Sequence, residues 1–168
     1  MPRLMSILVM LTGLVAAELV GAEQASAPVA IIVHRSNPVS DLSHSELRKI
    51  LLLERQSWPQ RKKITLVMRE AGQVDRGSVL REICGMTDAN FERHVLRATF
   101  RGTTLSAPRT INSADGMRRF VFNVPGALGY LRADQVDDTV KVLRIDGRLP
   151  GEPGYVLSAG PSQPKPGR

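Results

Sequence analysis

One stretch near the middle of the chain constrains the fold more than any other. It begins with an apolar run, Ile64 to Met68, which ends at a polar loop that contains Gly72. Apolar residues then recur at helical spacing, at Val79, Leu80 and Ile83. The pattern predicts a buried strand that enters a helix through a tight loop. The first N–H groups of such a helix have no partner inside it, so they favour an anion over the loop.

This loop carries most of the residues that we expect to bind a ligand. Arg69 and Arg76 flank it and would supply positive charge, although ordinary solvated surface charge is an alternative role for both. Gly72 would allow close approach to the backbone, and Gln73 would offer a polar side chain. Asp75 is placed to cap the helix, where its negative charge would occupy the N–H groups that attract an anion.

Strands and helices alternate along the rest of the chain, which predicts an α/β fold with a mostly parallel sheet flanked by helices. The run from Val29 to Val33 is typical of a buried strand, and Ser43 with Glu46 forms a capping box for the helix that follows. The other predicted elements are helices capped by Thr87 and Ser113 and strands over 127–131 and 139–145.

A second loop is predicted to join the site. In open sheets of this kind, ligands bind beyond the carboxyl ends of the strands. The loop after the first strand, His34 to Pro38, would then lie at the same edge as the loop over 69–75. We therefore expect Ser36 and Asn37 to add hydrogen-bond donors to the ligand site.

The two ends of the chain differ in composition from the part between them. Residues 1–22 have the build of a secretory signal peptide, with cleavage expected after Ala22. Residues 28–147 form the predicted domain. The Gly- and Pro-rich residues 148–168 are predicted to be a disordered tail in which only 155–157 can pack. We expect a periplasmic or secreted protein with no stable membrane span after signal cleavage.

Composition narrows the class of partner. The 168-residue chain carries a formal net charge of +7, which favours anionic partners. Its basic residues are scattered and its aromatic content is only 4%, so we expect no nucleic-acid partner. The histidines lack metal-ligand spacing, and the single cysteine, Cys84, is more typical of a small core residue than of a nucleophile. We therefore expect no enzyme activity, no cofactor and no metal.

Five short motifs occur in an order that matches a known family. They are Ser36-Asn-Pro-Val-Ser-Asp-Leu-Ser43, Glu46-Leu-Arg-Lys-Ile50, Trp58-Pro59, the loop from Arg69 to Arg76, and Pro125-Gly-Ala-Leu-Gly-Tyr130. Together they resemble phosphate ABC transporter substrate-binding proteins of the type 2 periplasmic-binding-protein-like superfamily, especially the short single-domain form. The resemblance covers roughly Val29 to Gly147, and it implies one lobe of that fold.

The loop departs from the family pattern. In the family, an Arg is followed by a Gly-Ser-Gly-Thr-like turn that binds phosphate with backbone N–H groups and hydroxyls. Arg69 and Gly72 match this pattern, but Gln73, Val74 and Asp75 stand where Ser, Gly and Thr are expected. Both hydroxyls are lost and a carboxylate is added. The chain also has the length of one lobe, whereas the family encloses its ligand between two.

Two functions follow as hypotheses. The first is an exported, non-enzymatic module that binds phosphate or another small oxyanion, with a homodimer or an envelope protein completing the site. The alternative is a protein-interaction or sensor-accessory module of the cell envelope whose ligand site has degenerated. Free N–H groups beneath a concave pocket would favour the first, and a loop filled by the protein's own groups would favour the second.

Overall fold

The structure is a computed structural model that describes residues 27–104 and 106–159. The predicted signal peptide, residues 1–22, and residues 160–168 lie outside the described part. The described strands are β1 (Ala27–His34), β2 (Asp41–Leu42), β3 (Thr65–Arg69), β4 (Arg109–Ile111), β5 (Ala127–Arg132), β6 (Val140–Val142), β7 (Arg144–Ile145) and β8 (Ser158–Ala159). The described α-helices are α1 (His44–Leu51), α2 (Val74–Val79), α3 (Asp88–Phe100) and α4 (Ala114–Asn123).

A π-helical turn, Leu80–Cys84, continues α2, and a 3-10 turn covers Ala133–Gln135. Gly85 ends the π-helical turn with a φ of 65°, a left-handed conformation that favours glycine. None of the helices in residues 27–104 and 106–159 is long and apolar enough to cross a membrane.

The sheet is mixed, and its strand order is β4-β3-β5-β1-β6. β3 runs parallel to both of its neighbours, β4 and β5. β1 runs antiparallel to β5, β6 and β8. β2 and β7 form a separate parallel pair. The predicted α/β class with flanking helices is confirmed, and the expected parallel pairing is found on both sides of β3.

The antiparallel direction of β1 decides which loops lie together. Val33 pairs with Leu128, and Leu128 pairs with Leu66 near the start of β3. Arg69 lies three residues further along β3, about 10 Å away at the usual rise per residue of a strand. The loop after β1 and the loop after β3 therefore leave the sheet at opposite ends of the strands. The expectation that these two loops share an edge is wrong.

Two apolar layers cover the faces of the sheet. The larger layer contains α1, α2 with its π-helical turn, and α3, and its buried residues include Leu47 and Phe91. The smaller layer packs α4 on the other face through Met117 and Val121. Because helices cover both faces, β1 and β5 are buried almost without interruption along their lengths.

Side-chain caps determine where three helices begin. The capping box predicted at Ser43 is confirmed, because the Glu46 N–H donates to Ser43 Oγ at 3.2 Å and the Ser43 N–H donates to Glu46 Oε2 at 3.0 Å. Thr87 caps α3 and Ser113 caps α4, as predicted.

Residues 148–159 pack on the domain, so the predicted disordered tail is wrong over this range. Leu157 is completely buried. The Tyr155 hydroxyl donates to the Val29 carbonyl at 2.7 Å, and β8 pairs with the first residues of β1. The domain extends past residue 147 because Tyr155 and Leu157 pack beside β1, whereas Val156 points to solvent and is 41% exposed.

Gly126 provides a test of the packing at the start of β5. A Cβ added to Gly126 would lie 2.3 Å from the Lys63 carbonyl oxygen. The Gly126 carbonyl also accepts from the Thr65 N–H at 2.9 Å and from Trp58 Nε1 at 3.1 Å. We expect Gly126→Ala to lower the free energy of unfolding by about 1–3 kcal/mol, because two backbone segments must move apart. Urea denaturation measures this loss.

Gly77→Ala is the control for that substitution. Gly77 lies inside α2, and nothing lies within 4 Å of the added Cβ. Alanine is a better helix former than glycine, so this variant should be neutral or more stable by up to about 1 kcal/mol. Equal losses in the two variants would contradict the packing at Gly126.

Candidate functional site

The candidate site is built on the last residue of β3. Arg69 is 8% exposed, and its backbone N–H donates to the Tyr130 hydroxyl at 3.0 Å. Tyr130 lies on β5 and is completely buried, and this burial raises its pKa. The hydroxyl therefore stays protonated at neutral pH and holds the carboxyl end of β3 against β5.

The Arg69 guanidinium is paired inside the protein. Its Nε donates to Asp75 Oδ2 at 3.2 Å, and the two side chains are only 10% and 8% exposed. The other carboxylate oxygen, Asp75 Oδ1, accepts from the Arg76 N–H at 3.0 Å. Arg69 Nη1 is buried and has no hydrogen-bond partner within the part of the chain that the structure describes.

Arg76 braces the same loop from the other side. Its Nη1 donates to the Arg69 carbonyl at 2.9 Å, and its Nε donates to Asp88 Oδ1 at 2.5 Å. The second Asp88 oxygen accepts from the Gly72 N–H at 3.2 Å. Glu92 Oε1 lies 3.6 Å from Arg76 Nη2. Asp88 therefore joins the loop to the first turn of α3.

The predicted helix cap is wrong. Gln73 is the N-cap residue of α2, and it makes no side-chain capping hydrogen bond. Asp75 lies inside the first turn instead, because the buried charge of Arg69 requires a counter-charge. The alternative role of Arg69 and Arg76 as solvated surface charges is also wrong, since Arg76 is 5% exposed.

The Asp75 carboxylate makes the contacts that an oxyanion ligand would make at this loop. It accepts from a guanidinium and from a backbone N–H in the first turn of a helix, the two donors that proteins commonly present to oxyanions. Asp75 leaves Arg69 Nη1 without an acceptor among the described residues. The loop thus supplies its own anion, the Asp75 carboxylate, which leaves one buried donor, Arg69 Nη1, without a hydrogen bond in the described part of the chain.

Ser36 and Asn37 lie away from this site, at the other edge of the sheet. Ser36 is exposed, and its Oγ lies 2.8 Å from His34 Nδ1. Asn37 is 4% exposed, and its Oδ1 accepts from the Val39 N–H at 3.0 Å within the turn. Asn37 stabilises its own loop, and neither residue is brought near Arg69.

Two residues of the site were missed by the sequence reasoning. Asp88 follows the Thr87 cap and resembles an ordinary acidic residue of a first helical turn, so nothing in the sequence pairs it with Arg76 across the intervening helix. Tyr130 does have a signal, because it ends the motif that begins at Pro125. That motif carries no indication that its hydroxyl bonds to β3.

An apolar groove of about 790 Å³ opens beside the site, between α3 and the segment that leads into β4. Phe91 and Met68 contribute to its lining, as do Val95, Leu96 and Pro108. Arg76 and Glu92 line it as well, but Arg69 does not. The groove therefore gives a ligand no direct contact with Arg69.

Cys84 lies in the larger apolar layer, as expected for a core residue. It is buried, and burial raises its pKa to about 11. Such a thiol is a poor nucleophile at neutral pH. Within residues 27–104 and 106–159, no group of three or more His, Cys, Asp or Glu side chains is arranged to hold a metal ion.

Solved structures of phosphate-binding proteins share this architecture. An ABC-type phosphate transport receptor from Vibrio cholerae matches with a TM-score of 0.63 and 24% identity, over 76% of this chain and 50% of that chain. A Clostridium perfringens protein with bound phosphate matches with a TM-score of 0.66 and 22% identity, over 82% and 54%. PstS from Borrelia burgdorferi matches with a TM-score of 0.63 and 14% identity, over 80% and 55%.

The chain has a periplasmic-binding-protein-like fold. The resemblance inferred from the five motifs is thus confirmed for the fold. The chain spans about half the length of the solved structures that it matches, which corresponds to a single lobe. The structures that it resembles are phosphate-binding transport proteins, which are not enzymes. No protein-family model matches the sequence.

The buried pair predicts a large effect of removing its acidic partner. We expect Asp75→Ala to lower the free energy of unfolding by about 3 kcal/mol, because Arg69 would be left as an uncompensated buried charge. Thermal and urea denaturation measure the loss.

Asp115→Ala is the control for this charge change. Asp115 pairs with Arg118 and Arg119 in the first turn of α4 and is 61% exposed. Exposed pairs contribute little, so this variant should lose at most about 1 kcal/mol. Similar losses in both variants would mean that burial does not set the strength of the Arg69–Asp75 pair.

Proposed function

We propose that this protein is an exported, non-enzymatic solute-binding lobe whose ligand is phosphate or another small oxyanion, bound at the loop over 69–76. The observation that carries the proposal is Arg69. Its guanidinium is buried at the carboxyl end of β3, and Nη1 lacks an acceptor among the described residues. A buried donor without an acceptor is costly, and a bound anion would satisfy it. The fold shared with phosphate-binding proteins supports the same ligand class.

The loop residues would take different parts in binding. Arg69 would supply the charge, and Gln73, which is half-buried and makes no capping bond, would supply a polar side chain. Gly72 and Arg76 would act mainly through Asp88, because this carboxylate already accepts from both. Asp75 would oppose binding, since its carboxylate competes with the ligand for Arg69. We expect modest affinity for this reason.

A single lobe also encloses less of its ligand than two lobes do. Good small-molecule sites bury roughly 70–90% of the ligand's surface. We infer that tight binding requires a second copy of the chain or an envelope protein to cover the rest of the ligand. The signal-peptide pattern over residues 1–22 supports a periplasmic or secreted location, where such a partner would be met.

A second candidate function is supported by the same loop. Its donors are largely engaged by Asp75 and Asp88, as expected of a ligand site that has degenerated. The protein would then act as an interaction or sensor-accessory module of the cell envelope. The two functions differ in whether a phosphate ion can replace the Asp75 carboxylate at Arg69.

Titration calorimetry of phosphate at low salt tests the proposal. We expect weak binding to the unaltered protein and binding about tenfold tighter to Asp75→Thr, because a like charge next to the ligand is removed and a hydroxyl is added. Adding Arg69→Gln to Asp75→Thr should abolish the heat of binding.

Asp115→Asn is the matched control for this titration. It removes the same unit charge from an exposed position on α4 and should leave the affinity unchanged. If folded Asp75→Thr gives no heat with phosphate, the oxyanion function is refuted and the interaction function is favoured. An equal gain from Asp115→Asn would mean that net charge, rather than the loop, controls binding.

A further inference from the structure

The outward face of α3 carries two large apolar side chains that the domain leaves uncovered. Leu96 is 57% exposed and Phe100, one turn later, is 83% exposed. The opposite face of the helix is buried: Phe91 lies in the larger apolar layer, and Ala98 is 5% exposed. Phe100 therefore contributes little to the packing of α3, and Leu96 lies at the rim of the apolar groove with more than half of its surface exposed.

Basic side chains flank this apolar pair. Arg93, Arg97 and Arg101 are exposed and follow one another at intervals of four residues along the helix and its C-cap. In the described part of the chain they form no ion pair, and Arg93 Nη2 donates to the Asn90 side-chain oxygen.

The acidic residues of α3 do not neutralise these arginines. Asp88 and Glu92 both lie beside Arg76, and Glu92 shares the lining of the apolar groove with Arg93 and Leu96. The surface from Arg93 to Arg101 borders this groove on one side and contains no acidic residue. We call it the α3 ridge, and it consists of Arg93, Leu96, Arg97, Phe100 and Arg101.

We propose that the α3 ridge docks this protein on the surface of a membrane that contains anionic lipid. Apolar side chains flanked by arginines on one helix are the composition of helices that lie in the membrane interface. Phe100 and Leu96 would enter the boundary between headgroups and acyl chains, and the arginines would contact the phosphates. The helix is about 20 Å long, so it would lie flat on the surface.

Other occupants fit the ridge less well. A second copy of the chain would bring two sets of three unpaired arginines face to face, which is unfavourable. A folded protein partner would need an acidic hollow shaped to a protruding phenylalanine. A bilayer adapts to a protruding side chain and offers phosphates over its whole surface. Membrane docking does not depend on oxyanion binding at Arg69.

A local fluorescent reporter tests the docking. Phe100→Cys in the full chain would be labelled with an environment-sensitive NBD group and mixed with vesicles of phosphatidylglycerol in phosphatidylcholine. Cys84 is 3% exposed and should remain unlabelled. We expect roughly a twofold or larger rise in NBD emission, a loss of most of it when Arg93, Arg97 and Arg101 are replaced by Gln, and a weaker response at high salt.

The control reporter is placed at Phe122, which is 50% exposed on α4, on the other face of the sheet. Phe122→Cys carrying NBD should not respond, even if another segment of the chain touches the vesicles. Equal responses at both positions, or no response at position 100, would overturn the proposal. So would a response to soluble polyglutamate without a response to vesicles, which would assign the ridge to an acidic protein. Pure phosphatidylcholine vesicles should give little signal.

Discussion

The loop after β3 depends on the ion pair between Arg69 and Asp75. Removing two charges from water is expensive, and the pair offsets this cost only in part, since Arg69 Nη1 has no acceptor among the described residues. The Arg69 backbone N–H is held by Tyr130, and the second Asp75 oxygen accepts from the Arg76 N–H. The ion pair between Arg69 and Asp75 therefore constrains the path of the backbone from β3 into α2.

This arrangement separates the fold from the chemistry of the site. The strand, the loop and the helix are the elements that an anion site requires, and solved phosphate-binding proteins share the architecture around them. The carboxylate of Asp75 places a negative charge among those elements. A shared fold does not by itself carry a shared ligand.

The sequence predicted the elements better than the site. Ser43, Thr87 and Ser113 act within a few residues of themselves, so their caps could be predicted. The direction of β1 is decided by its pairing with β5, which lies about a hundred residues away along the chain. No local sequence pattern predicts that direction. For this reason Ser36 and Asn37 were expected beside the loop over 69–75, whereas they lie at the other end of the strands.

The site residues show the same limit. Asp75 has the local signature of an N-cap, and the cap prediction failed because a buried arginine six residues earlier competes for the same carboxylate. Position 75 was thus assigned from its neighbours in sequence, whereas its role is set by burial.

Asp88 connects the loop over 69–76 to α3. One of its oxygens accepts from Gly72 and the other from Arg76, and Asp88 is also the first residue of a helix that ends at Phe100. The loop over 69–76 and the helix that ends at Phe100 are thus connected through a single carboxylate, so a substitution of Asp88 would remove support from both at once.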